Sequence, residues 1–206
     1  MTRALLALSL VGCLQPPEFP LLDEIPIVPY VDTCSPPREE AVICTIDGDT
    51  FDIGLCGSET VGERFRMLGI DAPETAKGDT PADCFADEAA AELRDLLEGQ
   101  RVLLTFDEEC TGAFDRTLAY VWLQDDALVD AWRSRDLSPV ADRLEAEDEE
   151  DSIVMVNEWM LYAGFARLYP EEIAGTLIYQ SRLDAAEGSA RSRSVGLWSQ
   201  CDEEGS

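Results

Sequence analysis

The 206-residue sequence predicts an α+β fold that is mainly β: a small closed barrel of five strands with about three helices. Three observations lead there. Short apolar or β-branched runs come first along the chain, a turn signal joins the first two as a hairpin, and a single stretch of helical spacing interrupts the series. Five strands broken by a helix fit a closed barrel better than a doubly wound sheet, and closure removes exposed strand edges. The length suits one domain with a proper core, and 46% hydrophobic residues is ordinary for a globular chain.

The elements follow in order. "AVICTI" and "TFDIGL" are short strands separated by "DGD", whose central glycine suits a tight turn. "RFRMLGI" is a third strand. Phe85, Ala89, Leu93, Leu96 and Leu97 then recur at helical spacing, with Gly99 placed as a C-cap, so residues 84–98 are predicted to be helical. "RVLLTF" and "TLAYVWL" complete the strands. Two more helices are expected, one near Asn157 to Ala163 ending at Gly164, and one after Pro170, whose ring suits a first helical turn. Residues of about 124–152 interrupt the plan as an acidic loop insertion closing on "EAEDEED", a self-repelling block that is more often solvated than packed.

The chain ends read differently. Arg3, the apolar run "ALLALSLVG" and Cys13 form an export signal too short to span a bilayer comfortably. "LVGC" resembles a bacterial lipobox, which makes residues 1–12 a lipoprotein signal peptide and Cys13 the lipidated residue. A plain secretory signal and a buried cysteine are the alternatives. Residues 13–40 are studded with proline and read as a tether, residues 41–201 as the folded domain, and residues 202–206 as an acidic tail. The protein is therefore expected to be exported, held at the membrane by a lipid anchor and facing the periplasm or the cell exterior, as a monomer. Six further cysteines in an exported chain suggest three disulfides, and six cysteines allow fifteen pairings. The preferred set is Cys44–Cys56 across the first hairpin, Cys84–Cys110, and Cys34–Cys201 joining the chain ends. Zinc ligation competes, although no C-x-x-C pair occurs.

Charge narrows the chemistry. There are 43 acidic and 15 basic residues, a formal net charge of -28, and no histidine. A uniformly basic nucleic-acid footprint is absent. Without histidine, catalysis falls to carboxylates, Arg, Lys, Tyr or Cys, and hard cations with oxygen ligands become the natural cofactor. Acidic residues cluster at two turns, Asp47 and Asp49 in "IDGDT" and Asp71 and Glu74 in "IDAPET", while Arg116 starts a strand in "FDRTLAYV". Each fragment alone is ordinary turn or surface chemistry.

Together, "DGDTF", "RFRMLGIDAPET", "DRTLAYV", "VNEWMLYAGFA" and the terminal "GLW" stand in the same order as in thermonuclease domains, and the sequence resembles the staphylococcal-nuclease-like family over residues 41–199 apart from the insertion. The resemblance implies an oligonucleotide-binding-type five-stranded barrel that hydrolyses phosphodiester bonds of single-stranded DNA and RNA with calcium. It also implies metal ligation by Asp49, Asp71 and the carbonyl of Ala72, with Asp47 and Thr50 supporting the site. Glu74 matches the residue that activates or orients the attacking water, and Arg66 and Arg116 match the arginines that hold the phosphate. Tyr169 is a candidate for stacking on a base. Phe114 and Asp115 depart from the tyrosine and glycine that the family commonly has there.

The physical logic agrees. Two carboxylates from different strand ends, a carbonyl and waters satisfy calcium's flexible oxygen shell. Planar guanidinium forks make paired charge-assisted bonds to the oxygens where charge grows during phosphoryl displacement, which lysine cannot replicate. Strand alternation aims Arg66 at the mouth that receives the carboxylates; Arg64 has the same parity and no assigned role. A barrel of this type that lacks turnover and only binds nucleic acid or protein, and a calcium-binding surface lipoprotein, are the competing functions.

Overall fold

The Asp47–Asp49 turn joins strand β1 (Arg38–Thr45) to β2 (Thr50–Gly54), and the hairpin it makes is the first wall of the barrel. The turn is tight because Gly48 is wedged: a β-carbon there would lie 2.6 Å from that of Ala72 and 2.8 Å from that of Ala89. The computed structural model describes residues 33–57, 62–124, 153–170 and 177–201. The signal segment, residues 13–32 of the tether including Cys13, the acidic insertion beyond Gln124 and the acidic tail lie outside the described residues.

Strand β3 (Gly62–Met67) pairs antiparallel with β2, setting Thr50 opposite Arg66, Phe51 opposite Phe65 and Asp52 opposite Arg64. Helix α1 (Ala86–Leu97) follows and buries Ala86, Ala89, Leu93 and Leu97, the face that helical spacing predicts. Strand β5 (Arg101–Thr105) pairs with β1, and β6 (Thr117–Gln124) pairs with β5. A parallel pairing of β3 with β6, Phe65 to Thr117 through Met67 to Ala119, closes the five-stranded barrel. Phe51 and Phe65 stack at 5.3 Å in its interior. Strand β7 (Ile153–Met155) extends the sheet beside β6 and leads into helix α2 (Val156–Tyr162), which is buried all round. The ends are packed by α3 (Gln180–Arg193) and the short α4 (Leu197–Gln200).

The run "RFRMLGI" is not one strand. Gly69 turns the chain at φ 76°, where a β-carbon would lie 2.4 Å from a methyl of Leu183. Ile70 and Asp71 therefore leave β3 and form a separate two-residue strand, β4, paired with β8 (Arg167–Leu168), with Asp71 opposite Arg167. Helix α3 begins at Gln180, and residues 171–176, where the helix after Pro170 is expected, lie outside the described residues. Asp107 accepts the Ile178 N–H at 2.9 Å and Leu177 and Tyr179 are buried, so residues 177–179 are held against the barrel before α3 starts. The folded domain also begins earlier than residue 41, because Arg38–Ala41 pair with β5 and Cys34 is already tied down.

The disulfides are Cys34–Cys110, Cys44–Cys56 and Cys84–Cys201. Cys44–Cys56 spans the first hairpin, but the expected Cys84–Cys110 and Cys34–Cys201 exchange partners. The incoming chain runs along the β5–β6 loop, where the Cys34 N–H donates to the Asp107 carbonyl at 2.8 Å, so Cys34 meets Cys110. The chain end folds back on α1 instead. Leu197 donates its N–H to the Gly164 carbonyl at 2.9 Å, and Phe165 stacks on Phe85 at 5.6 Å, which brings Cys201 beside Cys84.

Candidate active site

Arg66, near the end of β3, organises the site. Its guanidinium bridges two carboxylates, with Nη1 2.6 Å from Asp49 Oδ1 and Nη2 2.6 Å from Asp71 Oδ1, and Nη2 also donates to the Ile70 carbonyl at 3.3 Å. Asp49 stands at the end of the hairpin turn and Asp71 on β4, so the β2–β3 register and the Gly69 turn are what deliver both acids to one cation. Asp49 and Arg66 are buried, while the Asp71 side chain is half exposed.

Asp49 is saturated with donors. Its Oδ2 accepts the Ala72 N–H at 2.7 Å and its Oδ1 accepts the Thr50 hydroxyl at 2.9 Å, while its own N–H donates to Asp47 Oδ1 at 3.2 Å. Burial is the strongest influence on this carboxyl and, with Asp47 adding repulsion, pushes its pKa up to about 8 despite the opposing pull of Arg66 and the Ala72 amide. Burial also works against the Arg66 charge, but Asp49, Asp71 and Asp47 outweigh it and hold the guanidinium above its usual pKa. One cation thus serves three acids.

Glu74 and Arg116 line the same cleft. The Glu74 carboxylate is ion-paired with Lys77, and its backbone is fixed by Asp83, whose carboxylate accepts the Glu74 N–H at 3.0 Å and whose N–H donates to the Glu74 carbonyl at 2.9 Å. Arg116 stands just before β6, next to the residues that pair with β3, so the seam that closes the barrel also brings the two arginines to one mouth. Its Nε donates to the Ala113 carbonyl at 3.1 Å and its guanidinium lies 5.7 Å from the Phe114 ring centre. No ion pair joins it to Asp115 among the described residues. Tyr169 sits with its ring 6.0 Å from the Arg66 guanidinium. Asp47, Thr50, Arg66, Asp71, Glu74, Arg116 and Tyr169 all line one open cleft of about 1400 Å³, with Asp49 and Ala72 buried behind it.

Arg64 belongs to the scaffold. It meets Asp52 with Nε to Oδ1 at 2.8 Å and Nη2 to Oδ2 at 3.0 Å, and Gly57 also donates to Asp52. Burial would raise the Asp52 pKa, but these bonds win and lower it.

The donor set fits a hard cation. Asp47, Asp49, Thr50 and Asp71 all offer oxygen, and acidic residues outnumber basic ones along the cleft. Among the described residues no three His, Cys, Asp or Glu side chains close on a single point.

Sequence reasoning missed three residues. Lys77 follows Glu74 at a three-residue spacing that has no meaning outside a helix, and Asp83 is joined to Glu74 only through the loop's folding. Asn157 was visible in "VNEWM" as part of a helix, but not as a link. It is fully buried, its Oδ1 accepts the Val121 N–H at 2.9 Å, and its Nδ2 donates to the carbonyls of Leu68 at 2.9 Å and Ala119 at 3.3 Å, which ties α2 across the β3–β6 seam.

A family model described as staphylococcal nuclease homologue matches residues 64–200. The chain belongs to the staphylococcal nuclease family. It is 43% identical over 81 residues to a thermonuclease of Staphylococcus intermedius and 40% identical over 82 residues to one of Staphylococcus hyicus, covering 39% and 40% of this chain. It is also 28% identical over 135 residues, 65% of its length, to a probable endonuclease lcl3 of Botryotinia fuckeliana. The aligned stretches span less than half of each of these relatives, 46%, 47% and 41% of their lengths. The family match begins inside β3, and the hairpin bearing Asp47, Asp49 and Thr50 joins the family's portion through the β2–β3 register.

Proposed function

We propose that this member of the staphylococcal nuclease family is a calcium-dependent nuclease that hydrolyses phosphodiester bonds of single-stranded DNA and RNA at the cell envelope. The observation that carries the reading is the buried Arg66 fork across Asp49 and Asp71, inside the cleft that also receives Glu74 and Arg116. Asp49, Asp71 and the Ala72 carbonyl would hold the calcium ion, with Asp47 and Thr50 keeping Asp49 in place. Bound there, calcium would polarise the phosphoryl oxygen and lower the pKa of water.

The chain's own residues account for the rest. Glu74 accepts the proton of the attacking water once Lys77 yields its hold. A substrate phosphate takes Asp71's place as a partner of Arg66, and Arg116, whose side chain donates to the Ala113 carbonyl and faces the Phe114 ring, swings from the cleft wall to the same phosphate. The two guanidinium groups then bind the equatorial oxygens as negative charge grows on them. Tyr169, beside Arg66, is placed to contact a base.

Three disulfides and the N-terminal signal support export, and Cys13 is proposed as the lipid anchor. The deciding experiment is digestion of labelled single-stranded DNA and RNA by the purified protein with calcium and with chelator. Cleavage that requires calcium and is largely lost in folded Glu74→Ala, Arg66→Ala and Arg116→Ala supports the reading. A protein that retains nucleic acid without cutting it is a binding barrel, and one that binds calcium but ignores nucleic acid is a surface calcium protein.

A further inference from the structure

Basic side chains are few, and nearly all of them face a carboxylate. Among the described residues only Arg116, Arg167 and Arg193 have no carboxylate partner. Arg116 lines the cleft. Arg193 closes the end of α2, with Nη2 donating to the Tyr162 carbonyl at 2.5 Å and the guanidinium 3.9 Å from the Tyr162 ring centre. Arg167 has neither task. Its guanidinium lies 4.6 Å from the ring centre of Trp198 and makes no hydrogen bond among the described residues, so stacking fixes the group and leaves its N–H edge unused.

The support under it is well built. Arg191 also lies against Trp198, 4.4 Å from the ring centre, and pairs with one oxygen of Glu187 at 3.2 Å, while the other oxygen of that buried residue accepts the Leu168 N–H at 2.8 Å. The indole is thereby tied to β8 and α3 through its ring, and its buried Nε1–H has no partner among the described residues. Its ring, not its N–H, is what the fold uses. The β4–β8 register sets Arg167 directly across from Asp71, and directly opposed residues of antiparallel strands share a face. Arg167 thus continues the row that Arg66 and Asp71 begin, two residues before Tyr169 at the cleft.

We propose that Arg167, propped on Trp198, binds a second phosphate of the substrate strand, outside the one held by Arg66 and Arg116. The inference rests on the nuclease reading above and adds a binding residue to it. A phosphodiester offers two oxygens to the edge of a guanidinium, and a group already fixed by stacking loses little freedom on meeting them. Such a contact carries no sequence information and sets where the strand lies. In a protein of net charge -28, one cation left without an acid has unusual weight in that choice.

The test uses the full chain carrying Glu74→Gln, with calcium, and a short single strand of DNA in which a neutral methylphosphonate replaces each phosphate in turn. Besides the linkage in the cleft, one further position is expected to weaken binding roughly tenfold when neutral. Adding Arg167→Met, which keeps the stem on the indole, should weaken binding of the all-phosphate strand by the same factor and leave the strand neutral at that position unchanged. Phenylglyoxal labelling mapped by mass spectrometry reads the unsubstituted arginine directly, whatever the substitution does to folding. Arg167 should be protected by the all-phosphate strand and stay reactive with the strand neutral at that position. Arg167→Met weakening both strands equally would mean that the residue only packs Trp198, and weakening neither, or equal labelling of Arg167 with both strands, would remove the contact; each result overturns the proposal. A strand that binds with the cleft linkage as its one sensitive position overturns this inference alone, whereas failure to bind any strand overturns the nuclease reading and this inference with it.

Discussion

Replacing Asn157 with alanine should uncouple the seam on which the site is built. Its side chain serves the Val121 N–H and the carbonyls of Leu68 and Ala119, all in the buried interior. Ala119 keeps a partner, because the Leu68 N–H donates to its carbonyl at 2.9 Å. The Val121 N–H and the Leu68 carbonyl lose theirs. At roughly 1–3 kcal/mol for each buried group left unsatisfied, the expected loss is about 4 kcal/mol, read from urea unfolding of the oxidised protein. Asn157→Asp tests the geometry separately. A carboxylate still accepts from Val121 but opposes the two carbonyls, so the fold favours its protonated, donating form and raises its pKa. Stability of that variant should be greatest below the unfolded value of about 3.9 and fall as pH rises through the folded one. A loss under about 1 kcal/mol for Asn157→Ala, or an Asn157→Asp penalty that does not grow with pH relative to the parent, would refute the reasoning.

Gly48→Ala pushes a methyl into Ala72 and Ala89 and should cost about 1–3 kcal/mol while displacing the Asp47–Asp49 turn, seen as lower calcium affinity in calorimetry. Loss of Cys84–Cys201 through a double serine variant removes a cross-link spanning 117 residues and should cost about 5 kcal/mol in the chain-entropy account, against about 3 for the 12-residue Cys44–Cys56 span; non-reducing peptide mapping checks the pairing itself. Asp49 carries its proton in the fold up to about pH 8, so calcium must displace it; affinity should climb from pH 6 to 8 with proton release in calorimetry, and a flat profile would contradict the assignment. Acidic residues outnumber basic ones along the cleft, so cleavage should rise or hold steady with moderate NaCl; a steep decline toward physiological salt would count against this electrostatic picture.

Much of the fold was legible because it is encoded locally. The "DGD" turn, the alternation in β2 and β3 and the apolar spacing of α1 each specify their own element within a few residues. What was not legible depends on distant packing. Gly69 reads as a residue within a strand until Leu183 crowds it, and the start of α3 depends on an Asp107 bond to Ile178 across 71 residues. Two of the three disulfide pairings failed for the same reason, since those partners are chosen by where the chain ends travel, whereas Cys44–Cys56 closes a local hairpin. The carboxylates and arginines of the cleft were found through their resemblance to a known pattern. Their state was not: nothing in the order of residues indicates that Arg66 clasps both acids or that Lys77 holds Glu74.

The Cys34–Cys110 bridge fastens the incoming chain to the loop that bears Phe114 and Arg116, rather than to the back of the barrel. That leash couples the mouth of the cleft to its redox surroundings. A thiol reductant that opens this one cross-link slackens the arm holding a guanidinium while leaving the apolar interior intact, so turnover would register the compartment's oxidising power before any spectroscopic sign of unfolding.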